Sequence, residues 1–241
     1  MRKFWLFCLF LLTACGTPPH AIPPSTPEMV NVALTPSLRP FAEVLHTCAA
    51  AYMELTINIV EVPASAQDIQ TADLVIRLGG TPGGFYAAPI GEESVVLIVN
   101  ANNPVLAIPA DKLRDLFTGL ITSWAEVGGT DQPVQVWSFP EGDDARAAFD
   151  AVIFPGEDLT PQALLAPNPQ AMLGAVADDP LAIGYVPQNW LTQMSDETLI
   201  RPLSINQKLV EQLHQPVLAL SRVEPKGSVQ QLLVCMQSVI K

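Results

Sequence analysis

The chain has 241 residues, 49% hydrophobic and 15% charged, and its acids outnumber its bases 24 to 12 for a net charge of -12. That length holds one or two domains with a sizeable core, and so apolar a composition excludes a disordered chain. The acidic balance argues against nucleic acid and against a polybasic grip on anionic lipid, since neither has a basic surface to meet.

Residues 4–12 form an unbroken apolar run behind Arg2 and Lys3. The run is too short to cross a hydrocarbon layer of about 30 Å and suits the core of a signal peptide. It closes in Leu12-Thr13-Ala14-Cys15, which resembles the lipobox of bacterial lipoproteins. That resemblance implies cleavage before Cys15 and a diacylglyceryl group on its sulfur; the alternative is an ordinary signal peptide with an incidental cysteine. Buried acyl chains contribute roughly 0.8 kcal/mol per methylene, so two or more hold a protein on a membrane. Residues 1–14 are therefore expected to be a leader and 15–28 a tether. Pro18, Pro19, Pro23, Pro24 and Pro27 favour extended polyproline geometry there. The body would be extracytoplasmic and would meet the bacterial cell membrane through lipid alone.

In the body, residues 29–34 (MVNVAL) read as a buried strand. Thr35 then fits a helix N-cap and Pro36 the first turn, with Leu38, Phe41, Ala42, Leu45, Ala49 and Tyr52 at helical spacing. Strands follow at 55–62 and 72–78, the latter closed by the glycine-rich stretch 79–84. Strands alternating with helices imply an α/β class with a parallel sheet. Further strands are read at 94–99, 134–138, 181–186 and 217–220. Helices are read at 108–117, 144–152, within 161–177, and at 226–240, where Val229, Leu232, Leu233 and Met236 share a face.

Residues 95–149 carry the most specific signal: VVLIVNANNP, then KLRDLFTGLITSWAEVGG, then PVQVWSFPEGDDARAAF. These phrases, with AIGYV at 182–186 and Glu224-Pro225-Lys226-Gly227 before the last helix, resemble the phosphate-binding proteins of ABC uptake systems. The resemblance implies a two-lobed type II periplasmic-binding-protein-like fold with a hinge of two crossover strands. It places lobe one at 29–91 plus 203–241 and lobe two at 92–202. It also implies a small-molecule ligand in the interlobe cleft, an ABC permease as partner, a monomer and no cofactor. Helix N-termini facing such a cleft offer free N–H groups to anions.

The cleft residues depart from the phosphate pattern. Thr35-Pro36-Ser37 stands where the family has its first hydroxyl-bearing loop; two hydroxyls survive, but Pro36 has no N–H to donate. Plain N-capping explains the same residues. In the second loop the family reads Ser-Arg-Glu-Glu-Gly-Ser-Gly-Thr-Arg, and this chain reads Ser138-Phe139-Pro140-Glu141-Gly142-Asp143-Asp144-Ala145-Arg146. The anion-facing arginine aligns with Phe139, and acids arrive at Asp143 and Asp144. A carboxylate about 4 Å from an anion repels it by roughly 1 kcal/mol in water and several times more in a closed cleft. Tight phosphate binding is therefore not expected. The ligand candidates are Thr35, Ser37, Arg77, Ser138, Phe139, Asp143, Asp144 and Arg146. Two readings stand. The acids could receive a cationic or hydroxyl-rich ligand against a Trp137–Phe139 wall, or the cleft could be degenerate on a sensing or protein-interaction lipoprotein. Asp144 also suits plain capping of a helix that begins at Ala145.

With Cys15 lipidated, Cys48 and Cys235 are the body's two thiols. The resemblance puts both helices in lobe one, where they would bridge; the alternative is two separate buried thiols. No enzyme is expected. His20, His46 and His214 lack metal-ligand spacing, and no nucleophile elbow or phosphate loop is present.

Overall fold

The computed structural model describes residues 28–66, 71–80, 83–193 and 199–240. The leader, the lipidation candidate Cys15 and the tether up to residue 27 lie outside the described residues. Glu28, read as the tether's end, already belongs to the first strand.

In β1 (Glu28–Leu34), alternation sends Val30, Val32 and Leu34 into the main core. It pairs in parallel with β2 (Leu55–Glu61) on one side and β3 (Leu74–Leu78) on the other. The stretch after Thr35 is not α-helical from its first residue. Pro40 lacks an N–H and Leu38 leaves helical space, so Pro36–Phe41 forms 3-10 turns that run into α1 (Ala42–Ala50).

The fourth strand, β4 (Tyr86–Asn100), starts eight residues before its expected beginning. Pro89 and Gly91 hide the strand signal, and a register shift between them absorbs the irregularity. The chain continues through α2 (Ala110–Thr118), β5 (Gln135–Ser138), α3 (Asp144–Ile153), β6 (Leu164–Leu165), α4 (Pro169–Asp178), β7 (Ala182–Pro187) and α5 (Gln188–Thr192). It closes with β8 (Ile200–Pro202), α6 (Gln207–Gln212), β9 (His214–Ser221) and α7 (Gly227–Val239).

These strands make one sheet in the order β2-β1-β3-β9-β4-β7-β5-β6, with β8 on the far end of β4. The early part of β4 pairs with β9 and its later part with β7. It therefore belongs to both halves of the molecule. The chain crosses between halves along β4 and returns through α6 into β9, giving the two-lobed type II arrangement.

The phrase 113–124 is built for structure. Leu113, Leu116 and Phe117 bury one face of α2, and Gly119 ends it in the left-handed conformation (φ 83°). Ser123 and Glu126 then form a capping box, and the buried Trp124 donates its indole N–H to the Leu181 carbonyl at 2.9 Å. Phe117, Phe139, Phe149 and Phe154 pack around Tyr185, whose ring lies 3.9 Å from that of Phe149. In the other half, α1 and α7 are joined by a Cys48–Cys235 disulfide with Cα atoms 5.7 Å apart.

Candidate functional site

Helix α3 starts just beyond β5, at the seam between the halves. Asp143 is its N-cap, accepting the Arg146 N–H on Oδ1 at 3.0 Å. The cap therefore sits one residue earlier than expected, and Asp144 is free for another task. Its Oδ2 accepts the Leu78 N–H at the end of β3 at 2.8 Å, and its Oδ1 accepts the Ala145 N–H at 3.0 Å. Backbone donors from both halves thus meet on one side-chain carboxylate. Asp143 is 6% and Asp144 2% exposed.

Thr35 and Ser37 enter from the first half. Both are buried; the Thr35 hydroxyl has no hydrogen-bond partner, and the Ser37 hydroxyl lies against Asp143. The Ser37 carbonyl accepts the Trp190 indole N–H of the second half at 2.9 Å. Burial pushes the Asp143 carboxyl up to about 7, and the neighbouring Asp144 charge adds to the rise. The Arg146 and Ala145 N–H groups and the Ser37 hydroxyl offset part of it. Near neutral pH, Asp143 can accordingly act as donor or acceptor.

Two further contacts close the seam. The Ser65 N–H donates to the Gly142 carbonyl at 3.1 Å. Gly142 has φ 85°, and a Cβ there would stand 2.5 Å from the Ser65 hydroxyl oxygen, so only glycine fits. Arg39 grips Glu61 with two bonds of 2.6 and 2.7 Å, stacks 5.3 Å from the centre of the Trp190 ring, and reaches Gln170 at 3.4 Å.

Four sequence candidates belong elsewhere. Phe139 is no wall of the cleft: its ring packs into the aromatic core, edge-on to Tyr185 at 5.2 Å. Ser138 is buried and bonds the Tyr185 hydroxyl at 2.8 Å. Arg146 turns back onto its own loop, donating to the Phe139 carbonyl and to Asp150. Arg77 follows Val75 onto the opposite face of β3 from Leu74, Ile76 and Leu78, and no ion pair among the described residues includes it. Trp137 is half-buried against the core, and Glu141 is exposed. The seam thus brings Ser37 against Asp143 and the Leu78 N–H against Asp144, with Thr35 buried at the end of β1. It adds Leu78, Ser65, Arg39 and Trp190, which the sequence did not mark: the first two act through backbone N–H groups that any residue carries.

Away from the cleft, His214 joins Ser94 at 2.7 Å and Glu92 at 2.8 Å across β9 and β4. The Ser94 N–H is committed to Glu93 and the Val95 N–H to the Leu213 carbonyl. The trio ties β9 to β4. Among the described residues, no group of three or more His, Cys, Asp or Glu is placed to hold a metal, and no helix is long and apolar enough to cross a membrane.

A family model described as a PBP superfamily domain matches residues 57–221. The phosphate-binding protein PstS of Bacillus subtilis (strain 168) is 32% identical over 94 residues. That match spans 39% of this chain and 31% of the relative, about a third of its length. A putative phosphate ABC transporter substrate-binding protein with bound phosphate from Clostridium perfringens superposes with a TM-score of 0.74 at 22% identity, over 87% of this chain and 93% of that one. The regulatory domain of CcmR from Synechocystis PCC6803, in complex with 2-PG, superposes with a TM-score of 0.69 at 15% identity, over 88% of this chain and 97% of that one. At those identities the likeness establishes the fold alone.

Proposed function

The chain belongs to the PBP superfamily, and from that premise we propose that it is an extracytoplasmic, lipid-anchored solute-binding protein that hands a small ligand to an ABC permease. Residues 29–91 plus 203–241 make one lobe and 92–202 the other, with the ligand taken between them. The anchor is Cys15, so Cys15→Ala should move the protein from the membrane pellet to the soluble fraction.

One observation carries the reading of the cleft: the start of α3 delivers two adjacent, buried carboxylates to the seam, Asp143 against Ser37 and Asp144 against the Leu78 N–H. Among the described residues no guanidinium pairs with either carboxylate: Arg146 bonds its own loop and Arg39 is held by Glu61. Such a site suits a ligand that brings hydrogen-bond donors, an organic cation or a polyhydroxyl compound, and disfavours phosphate.

A thermal-shift panel of the intact chain tests this. Ligands at about a hundred times Kd add roughly 2.7 kcal/mol, several degrees for a chain of this size. The reading expects such a shift from a cation or polyol and none from phosphate or sulfate. A second reading, a sensing or protein-interaction lipoprotein on the same fold, is favoured by one fact: all four cleft side chains are buried. A panel without any hit would select it.

A further inference from the structure

We infer that Asp144 is a built-in anion: its carboxylate fills the position an anionic ligand would take between the halves, holds the cleft shut without one, and determines which ligands are admitted. The inference rests on reading the cleft as a binding site.

The argument starts from the strand ladder. β1 and β3 stay paired only as far as Leu34 and Ile76, because the chain turns away at Thr35. The Leu78 N–H therefore emerges beyond the end of β1 without a strand partner on that side. Unpaired N–H groups at the carboxyl ends of parallel strands are where open α/β sheets hold anions. Here the acceptor is the protein's own: Asp144, 66 residues away in sequence, takes that N–H at 2.8 Å and the Ala145 N–H at the start of α3 at 3.0 Å.

The same gap is bridged three more times. Ser65 bonds Gly142, the Trp190 indole bonds Ser37, and Arg39 reaches across to stack on Trp190. They leave Thr35 buried with a free hydroxyl and the Ser37 hydroxyl against Asp143.

The consequence for ligands follows from charge. A free anion must displace a tethered carboxylate that never dissociates, and must then sit beside the displaced Asp144 charge. A molecule bearing ammonium, amidine or several hydroxyl groups meets no such repulsion: it donates to Asp144 beside the Leu78 N–H and offers the Thr35 hydroxyl a partner. Asp144 is thereby a specificity-determining residue whose exclusion of anions is local and removable.

Hydrogen exchange of the Leu78 amide in the intact wild-type chain, without ligand, is the first test. The expected rate is at least about a hundredfold below that of an unstructured amide, and unchanged by inorganic phosphate at about 10 mM. Exchange at a loop-like rate would overturn the inference. D144G removes the plug. Leu78 exchange should accelerate, and phosphate should now slow it again and raise the melting temperature by several degrees. A D144G protein indifferent to phosphate would overturn the anion-site assignment. Should D144G fail to fold, D144N keeps the side-chain volume without the charge. There, Leu78 exchange about tenfold faster supports the carboxylate's role, while an unchanged rate contradicts it. These results are separable from the ligand panel. A protected Leu78 with no ligand hit leaves the plug standing and the transport reading lost; a hit with an unprotected Leu78 does the reverse.

Discussion

At the residue scale the cleft turns on where two neighbouring carboxylates point. Asp143 faces its own helix and Asp144 faces the other half, and burial raises the first to about 7. The folded chain therefore keeps the Asp143 proton up to about pH 7, whereas the unfolded chain releases it near 3.8. Between those values the folded state binds more protons, so stability is greatest at the acidic end and falls as pH rises through 7. Glu93 and Asp150, also raised chiefly by burial, act in the same direction. Denaturant midpoints should thus fall from pH 5 to pH 8, and D143N should flatten the slope without abolishing it; an identical slope in D143N would remove Asp143 from the account. Gly142 gives a second prediction. G142A places a Cβ at positive φ and against Ser65, and should destabilise by about 1–2 kcal/mol or more, read as a lower chemical-denaturation midpoint. Sequence marked Asp143 and Asp144 through their place in a known loop. It did not mark Leu78, whose part is played by a backbone N–H freed by topology. It also misplaced Phe139, because alignment with a ligand-facing arginine says nothing of the apolar pocket that Tyr185 and its neighbours offer a ring.

At the element scale, what was legible is what local chemistry dictates. The apolar runs of β1, β3 and β7 and the helical stripes of α2 and α7 stand within a few residues of their expected places. The early half of β4 was not legible, because Pro89 and Gly91 break its strand signal while pairing with β9 sustains it. The short α5 and α6 were missed for a related reason: helices of five and six residues exist through tertiary contacts, not propensity. The Cys48–Cys235 bridge ties α1 to α7 across 187 positions of sequence. Closing so long a loop restricts the unfolded chain and should stabilise by roughly 2–4 kcal/mol. Melting the protein with and without a phosphine reductant checks this: a drop of several degrees on reduction is expected, and coincident curves would mean the bridge contributes little.

At the scale of the whole molecule, the two halves share one sheet through β4, and the carboxylates of the proposed site sit at their seam. Solute-binding proteins and the regulatory domain of CcmR share this fold, so the fold gives the hinged frame and the seam must give the chemistry. The frame was recognisable from residues 113–124, whose caps and buried tryptophan are structural. The seam was only half recognisable, because its closure depends on pairs such as Ser65 with Gly142 and Trp190 with Ser37 that lie 77 and 153 positions apart. The central claim is that this cleft is satisfied by its own carboxylates and rejects free anions. Calorimetric titration of the intact chain with inorganic phosphate at neutral pH tests it most directly. The account predicts no saturable heat up to millimolar phosphate; a saturable, one-to-one binding isotherm in that range would contradict it.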